Sequence, residues 1–253
     1  MIFRKKILFI LITIFFCNAL FAQYAEVYPS NWWVGMKWNK VQLILRGSDN
    51  LASEKISISH PGVQLVKKYV FENNKYVALD LVISSSAKPG IVKIECAKNG
   101  QKNIINWELK KRRAGNGTAY AQGVTSKDFI YLLMPDRFSN GDPSNDRIAG
   151  LRDQSLDRSH DSIFTRHGGD LQGVVNHLDY LQSLGVTALW MTPVLQNDMP
   201  NRTEHGYAFT NHYRIEPRFG GEEAYHKLSD ALHARGMKLV QDAVYNHIGL
   251  YHW

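Results

Sequence analysis

The sequence predicts two domains of different fold class: an N-terminal antiparallel β-sandwich, then the first part of a (β/α)₈ barrel, truncated after its third strand. Two observations lead to this prediction. Short runs of alternating apolar residues, separated by turn residues, fill the first half of the chain. In the second half, apolar strands alternate with helical patterns, and polar motifs follow the strands. We place the domains at residues 23–113 and 125–253, with a linker over residues 114–124.

The first 22 residues have the pattern of a secretory signal peptide. Basic residues at positions 4–6 precede an apolar run over residues 7–16, and the segment ends at Ala22. That run is shorter than the roughly 20 residues of a membrane-spanning helix. Because bulky Phe15 and Phe16 precede Cys17, we do not expect a lipid there. The sequence therefore predicts export to the periplasm or the cell exterior, without a stable membrane anchor.

Composition excludes some classes of function. The formal charge is +7, and removal of three basic residues with the signal peptide leaves +4, which is too low and too scattered for a nucleic-acid surface. Once Cys17 has left with the signal peptide, Cys96 remains alone, so we expect no intrachain disulfide. Aromatic residues make up 11% of the chain and suit sugar stacking as well as core packing.

Alternating apolar residues predict the sandwich strands. Over residues 77–83, for example, every second side chain is apolar, which is the period of a strand with one buried face. Turn pairs such as Pro61-Gly62 and Asn99-Gly100 separate the runs. The predicted strands cover residues 41–45, 55–59, 63–71, 76–83, 91–96 and 104–109.

Strands and helices alternate after residue 125. Apolar strands are predicted at residues 129–134, at 186–191 and from residue 237 onward, with helices over 171–184 and 225–232 between them. This order predicts a parallel sheet covered by helices. A complete barrel takes about 250 residues, and the residues here give room for about half of one. We therefore expect the chain to end inside its second domain.

An oxygen-rich motif, NGDPSND, covers residues 140–146. Its Asn and Asp side chains, with Gly141 and Pro143 bending the backbone, suit Ca²⁺, which binds 6–8 oxygen ligands. An ordinary polar turn is the alternative interpretation. The GGD motif at residues 168–170 favours the metal, because it could bring Asp170 and a glycine carbonyl to the same ion.

Long loops follow the first two barrel strands, over residues 135–170 and 192–221. Loops beyond about 12–15 residues are usually functional, and in barrels they gather where ligands bind. Tyr207 of the HGY motif lies in the second loop, where it could contact a sugar or pack the loop against the barrel. DAVYNH places Asp242, Asn246 and His247 at the end of the third strand. Glycoside hydrolysis needs two carboxylates, and Asp242 has no obvious second acid at a neighbouring strand end.

The ordered motifs MPDRFSNGDPSND, GGDLQGV, LWMTPV, HGYAFTNHYRIEPRFG and DAVYNH resemble the α-amylase superfamily, glycoside hydrolase family 13, from about residue 125 to 252. The likeness is to the neopullulanases and cyclomaltodextrinases. It implies that Tyr207 stacks on the sugar at the cleavage subsite, that His247 contacts the same sugar and that Asp242 supports the site. Asn246 is a ligand only in relatives with a second calcium. The resemblance implies one Ca²⁺ with the ligands Asn140, Asp142, Asn145, Asp146, Gly168 and Asp170.

The function implied by this resemblance is a retaining hydrolase of α-glucosidic bonds in starch, pullulan or cyclodextrins. The family's Asp nucleophile, Glu acid/base and further Asp follow later barrel strands, so we expect no catalytic residue within this chain. A transglycosylase of the same family and a non-catalytic glycan-binding protein are the alternatives. The WWVGMKW segment resembles the N-terminal domain of such enzymes, and Trp32, Trp33 and Trp38 could contact a glycan, contact a second subunit of a homodimer or pack in the core.

Overall fold

The computed structural model describes residues 24–115, 123–159 and 161–253. The chain divides into two compact units, one ending at Arg112 and the other beginning at Arg113. The predicted signal peptide and most of the predicted linker lie outside the described residues. In the described stretches, no helix is long and apolar enough to cross a membrane.

The first unit contains two four-stranded sheets, with strand orders β1-β3-β6-β5 and β2-β8-β7-β4. Every neighbouring pair is antiparallel except β2 and β8, which run parallel from Asn31 opposite Glu108. The strands are β1 (Ala25–Tyr28), β2 (Asn31–Trp33), β3 (Lys40–Gly47), β4 (Lys55–Ser59), β5 (Val63–Val70), β6 (Tyr76–Ile83), β7 (Gly90–Lys98) and β8 (Gln101–Lys110). The predicted sandwich is confirmed. Strands β1 and β2 were not predicted, because segments of four and three residues are too short to show an alternating apolar pattern.

Alternate side chains of both sheets form the core of this unit. Leu43, Leu79 and Ile94 are completely buried, as the period of two requires. Trp107 is also buried, and its indole N–H donates to the carbonyl of Pro29 at 2.9 Å. Trp32 packs against this core, whereas Trp38 is 70% exposed.

The second unit is built on a parallel sheet, as the sequence predicts, and its strand order is β13-β10-β9. Within its long second loop, β11 and β12 pair as an antiparallel hairpin. The strands are β9 (Ile130–Leu133), β10 (Ala188–Met191), β11 (Leu195–Gln196), β12 (Asn211–Ile215) and β13 (Lys238–Gln241). The helices are α1 (Pro135–Phe138), α2 (Leu171–Asn176), α3 (Leu178–Ser183) and α4 (Gly221–Ala234), with 3₁₀ turns at Pro143–Asn145 and Pro217–Phe219.

The helix predicted over residues 171–184 is broken at His177. The imidazole Nδ1 of His177 donates to the carbonyl of Gly173 at 2.9 Å, which is the acceptor that its own amide would use in a continuous helix. That amide bonds instead to Val174. The apolar face nevertheless survives the break, since Leu171 and Leu181 are both fully buried and belong to one core with Leu228 of α4. This core fixes the strand ends that carry the candidate site.

Candidate functional site

Two groups of polar residues lie on the long loops and strand ends of the second unit. We name the first the oxygen loop, residues 140–146 together with 168–170. We name the second the strand-end cluster, formed by Trp190, Tyr207, Asp242 and His247. The sequence predicts members of both groups, and the structure brings the members of each group together.

Backbone hydrogen bonds assemble the oxygen loop from two distant segments. The amide of Gly169 donates to the carbonyl of Asp136 at 2.9 Å, and the amide of Asp170 donates to Ser139 at 3.0 Å. The GGD segment therefore runs beside the turn that leads into residue 140. This is the approach of the two motifs that the sequence predicts.

The carboxylate of Asp170 is the centre of the oxygen loop. It accepts from the amides of Gly173 at 2.6 Å and Asp142 at 2.8 Å, and from the amide of Gly141 at 3.1 Å. Through Gly173 it caps the N-terminus of α2. The side chain is completely buried, so its first role here is to hold the loop to the helix. The sequence predicts Asp170 as a metal ligand and does not predict this capping role.

The same loop contains buried oxygens without a hydrogen-bond partner in the described part of the chain. The side-chain Oδ1 atoms of Asn140 and Asn145 are buried and have no hydrogen-bond partner among the described residues. Buried acceptors normally have a partner, and a bound ion is one way to supply it. Gly168 adopts φ +82°, and a Cβ there would lie 2.5 Å from Oδ1 of Asp146. The missing side chain therefore lets Asp146 pack closely against Gly168, and the oxygens of Asn140, Asn145 and Asp146 fit an oxygen-coordinated cation.

The acidic side chains of the loop already have protein partners. Asp146 accepts from Nδ2 of Asn140 at 2.6 Å and from Arg158 at 2.9 Å. Asp142 accepts from the hydroxyl of Ser144 at 2.6 Å and from its amide at 3.1 Å, and these bonds hold the pKa of Asp142 below its usual range. No three His, Cys, Asp or Glu side chains are grouped to hold a metal in the described residues. An ion here would share these carboxylates with their protein partners and add side-chain amide and backbone oxygens, which are the ligand types that Ca²⁺ accepts.

The strand-end cluster forms around Asp242, which follows β13. The hydroxyl of Tyr207 donates to Oδ2 of Asp242 at 2.9 Å, and the indole N–H of Trp190 donates to the same oxygen at 3.2 Å. The pKa of Tyr207 lies above its usual value, mainly because the phenol is buried and secondly because it donates a hydrogen bond to Asp242. Tyr207 is 37% exposed, so its ring borders solvent. The cluster offers aromatic faces beside a carboxylate, which is the chemistry that sugar recognition needs.

The side chain of His247 is held against the loop that carries Tyr207 by a hydrogen bond to the backbone of Tyr207. Its Nε2 lies 2.9 Å from the carbonyl oxygen of Tyr207, which can only accept, so Nε2 carries the proton. Its Nδ1 then accepts from the side-chain amide of Asn246 at 2.9 Å. Both ring nitrogens therefore have protein partners, and His247 fixes the position of the Tyr207 backbone. The structure places Asn246 beside His247.

Sequence reasoning missed Trp190 and a set of buried charges behind the strand ends. Trp190 lies in the strand motif LWMTPV, and an aromatic residue near the end of a predicted barrel strand was the feature that could have indicated it. Arg218 is 1% exposed and bonds to Glu216 at 2.7 Å and to the carbonyl of Asn197 at 2.7 Å. Arginine and glutamate are usually exposed, so no composition rule would place them inside.

A parallel β/α segment with functional side chains at the carboxyl ends of its strands is the arrangement of (β/α) barrel enzymes. Family comparison agrees with this class. Residues 130–253 match the model described as "Alpha amylase, catalytic domain", and residues 26–113 match "Cyclomaltodextrinase, N-terminal". The chain therefore belongs to the α-amylase family, glycoside hydrolase family 13, and carries part of its catalytic domain behind a cyclomaltodextrinase N-terminal domain.

Individual relatives agree with the family. Neopullulanase 2 of Thermoactinomyces vulgaris is 43% identical over 122 residues, covering 47% of this chain and 20% of the relative. A Bacillus sp. cyclomaltodextrinase is 42% identical over 124 residues, covering 49% of this chain and 21% of the relative. The periplasmic α-amylase of Escherichia coli is 37% identical over 131 residues, covering 47% and 19%. The chain thus spans about a fifth of the length of these curated relatives.

Proposed function

We propose that this chain is part of a retaining hydrolase of α-glucosidic bonds and that the strand-end cluster binds the sugar at the cleaved bond. The observation that carries the proposal is the convergence of Tyr207 and Trp190 on Asp242 at the carboxyl ends of β10 and β13, with His247 bonded to the backbone of Tyr207. The family match supports an α-glucan as the substrate class. Starch, pullulan and cyclodextrins are the substrates to test, in keeping with the neopullulanase and cyclomaltodextrinase among the relatives.

In this proposal, Tyr207 stacks its ring on the sugar while its hydroxyl orients Asp242. His247 acts on the sugar indirectly, because its Nε2–H holds the Tyr207 carbonyl. The strand-end cluster contains one carboxylate, whereas retaining hydrolysis uses a nucleophile and an acid/base about 5–5.5 Å apart. The residues described at the cluster therefore bind and orient the sugar, and we assign bond cleavage to neither Tyr207 nor His247.

The experiment that tests the function is hydrolysis by the protein expressed with a complete barrel. We expect release of reducing sugar from starch, pullulan or cyclodextrin, and none from the β-linked glucan cellulose. Proton NMR of the first product should show the α anomer, because retention preserves the configuration of the cleaved bond. Hydrolysis of the β-linked glucan alone, or an inverted first product, would contradict the proposal.

A transglycosylase is the second candidate within the family. The observation that favours it is a cyclomaltodextrin glucanotransferase of Klebsiella oxytoca, 41% identical over 128 residues, covering 48% of this chain and 19% of that relative. Transfer and hydrolysis differ in whether a sugar or water accepts the glycosyl group. Chromatography of products longer than the maltooligosaccharide supplied would favour transfer.

We propose a structural Ca²⁺ in the oxygen loop. The buried, unpartnered Oδ1 atoms of Asn140 and Asn145 support it, and the close approach of the Asp146 carboxylate to Gly168 adds to that support. The predicted ligand set of Asn140, Asp142, Asn145, Asp146, Gly168 and Asp170 supplies side-chain and backbone oxygens. When bound, the ion would cross-link the two segments of the loop through those oxygens. Isothermal titration with CaCl₂ tests this, and no heat beyond dilution would reject the site.

We also propose export and a homodimer formed through the N-terminal domain. The basic and apolar pattern of residues 1–22 supports export, and a periplasmic relative agrees with it. N-terminal sequencing of protein from the periplasm or medium should begin at Gln23. For the dimer, the exposed apolar side chains Trp38, Val66 and Ile104 supply surface that a second subunit could cover. Light scattering should give twice the chain mass, and a monomer mass would reject the dimer.

A further inference from the structure

A chain of buried polar residues connects the oxygen loop to the loop that carries Tyr207. We name it the buried relay and define it as Asp136, Arg166, Thr203 and Asp153. Each of these residues is at most 2% exposed. None of them takes part in the strand-end cluster, and their number and burial far from it call for an explanation.

Asp136 joins the relay to the oxygen loop. Its carboxylate accepts from the amide of His167 at 2.9 Å and from the amide of Gly168 at 3.3 Å. Its backbone carbonyl accepts from Gly169. The three successive amides of His167, Gly168 and Gly169 are thus bonded to one residue. A shift of that segment would carry the Asp136 carboxylate with it.

Arg166 joins Asp136 to the second loop. Its Nη2 lies 3.4 Å from Oδ1 of Asp136, and its Nη1 donates to Oγ1 of Thr203 at 3.3 Å and to the carbonyl of Thr203 at 3.4 Å. Its Nε and Nη2 have no hydrogen-bond partner among the described residues. These contacts are long for a buried guanidinium, and they place Arg166 between Asp136 and Thr203.

Thr203 connects Arg166 to the turn that presents Tyr207. Its carbonyl accepts from Arg166 and also from the amide of Gly206 at 3.3 Å, which closes the turn before Tyr207. Gly206 adopts φ +83° and packs so closely on the Pro193 carbonyl that a Cβ would clash there. The hydroxyl of Thr203 is anchored to Asp153 at 2.7 Å. The turn that presents Tyr207 is therefore defined by its contacts at Thr203 and Pro193.

The rest of the second loop is fixed by a tighter group of hydrogen bonds, which shares Asp153 with the buried relay. Glu216 accepts from the amide of Asn197 at 2.8 Å, and Arg218 donates to the carbonyls of Asn197 at 2.7 Å and Asp153 at 2.9 Å. These bonds are shorter than those of Arg166 and do not reach the oxygen loop. They hold the start of the loop in place, whereas the contacts of Arg166 to Thr203 are 3.3 and 3.4 Å long.

We propose that Arg166 is a positioning residue that transmits cation occupancy of the oxygen loop to the Tyr207 turn. This inference rests on the proposed Ca²⁺ site and adds to it a coupling between two sites on different loops. Tightening of residues 168–170 around an ion would move Asp136, then the guanidinium of Arg166 and then Thr203. Arginine presents two terminal nitrogens, Nη2 toward Asp136 and Nη1 toward Thr203, whereas lysine has one nitrogen for both partners, so Arg166→Lys should break this pair of contacts.

Hydrogen exchange of the chain, with CaCl₂ or with EGTA, tests this. In the unaltered chain, Ca²⁺ should slow amide exchange in residues 140–146 and also in residues 203–207, the latter by about fivefold or more if the coupling is typical of linked sites. The amides of Gly206 and Tyr207 are the specific reporters. Arg166→Lys should keep the calcium response over 140–146 and lose it over 203–207.

Two variants complete the test. Thr203→Val removes the hydroxyl that Arg166 contacts while keeping the side-chain shape, and it should weaken the response over 203–207 even if Arg166→Lys fails to fold. Arg152→Ala is the matched control, since Arg152 also joins the two long loops, through an ion pair with Asp198, but its side chain is 46% exposed. It should leave both responses unchanged.

The outcomes separate the coupling from the metal site. If Ca²⁺ protects residues 140–146 but never 203–207 in the unaltered chain, the calcium site stands and the coupling is wrong. An undiminished response over 203–207 in both Arg166→Lys and Thr203→Val would also overturn it. If no residue responds to Ca²⁺, the proposed ion and the coupling fail together, whereas the proposed sugar site is unaffected.

Discussion

Replacement of Asp170 by alanine should destabilise the second unit even without calcium. The change removes the acceptor of three amides, those of Gly141, Asp142 and Gly173. Loss of the helix cap at Gly173 costs about 0.5–2 kcal/mol. Each of the other two amides loses a partner inside the loop at about 1–3 kcal/mol, and the lower end applies because they are partly buried. The free energy of unfolding should fall by about 2.5–4 kcal/mol, a large part of a typical domain's total.

Urea unfolding in EGTA measures this change without any contribution from a bound ion. The sandwich unit provides an internal reference, because its own transition should keep its midpoint. Asp179→Ala is the control: the Asp179 side chain is 87% exposed in its ion pair with Arg235, and its loss should change the unfolding free energy by less than about 0.5 kcal/mol. If Asp170→Ala unfolds within that margin of the unaltered protein in EGTA, the carboxylate does not organise the loop.

Three further predictions concern the metal, pH and activity. Chelation by EGTA should lower the melting temperature of the second unit, and Asp142→Ala should abolish that response while Ser144→Ala keeps it. If Asp142→Ala and the unaltered protein respond equally to EGTA, Asp142 is not a ligand. The ammonium of Lys238 and the amide of Thr125 hold the pKa of Asp128 at about 2, below its ordinary 3.8. Because the pKa of this carboxyl is lower in the folded protein, the ionised carboxylate stabilises the fold above its ordinary pKa, and this stabilisation is lost as the pH falls toward 2. Asp128→Asn should therefore flatten the dependence of the melting temperature on pH between about pH 4 and pH 2. An unchanged pH dependence in that range would refute this. Purified protein of residues 23–253 should release no reducing sugar from maltooligosaccharides above a mock-purified control, because the strand-end cluster has one carboxylate.

The alternation of apolar residues allowed most of the fold to be predicted. Strands such as β6 bury every second side chain, and that period is visible without coordinates. The break at His177 was not predictable in this way, because a side chain competing for one backbone carbonyl leaves the apolar period intact. The parallel pairing of β2 with β8 likewise depends on a contact between strands far apart in sequence.

The candidate site could be predicted in part because strand ends of a parallel sheet meet at one edge. Tyr207 and Asp242 are 35 residues apart and their side chains are joined by a hydrogen bond, as motif positions at two strand ends suggested. The double role of Asp170 as a helix cap needed the coordinates. So did the burial of Arg166, because a guanidinium is placed inside a protein only by the carboxylates and carbonyls that surround it.

The most direct test of the account is the turnover of Tyr207 variants in the protein expressed with a complete barrel. If the ring stacks on the reacting sugar more strongly in the transition state, Tyr207→Ala should lower kcat on maltotriose or cyclodextrin by roughly 3- to 10-fold, from about 0.5–1.5 kcal/mol of aromatic contact. Tyr207→Phe keeps the ring, loses only the bond to Asp242 and should do less harm. His247→Ala should also reduce kcat, since the Tyr207 carbonyl loses its donor. Melting curves should remain unchanged in all three variants. A kcat of the two alanine variants equal to that of the unaltered enzyme would place the strand-end cluster outside the reacting subsite and contradict the account.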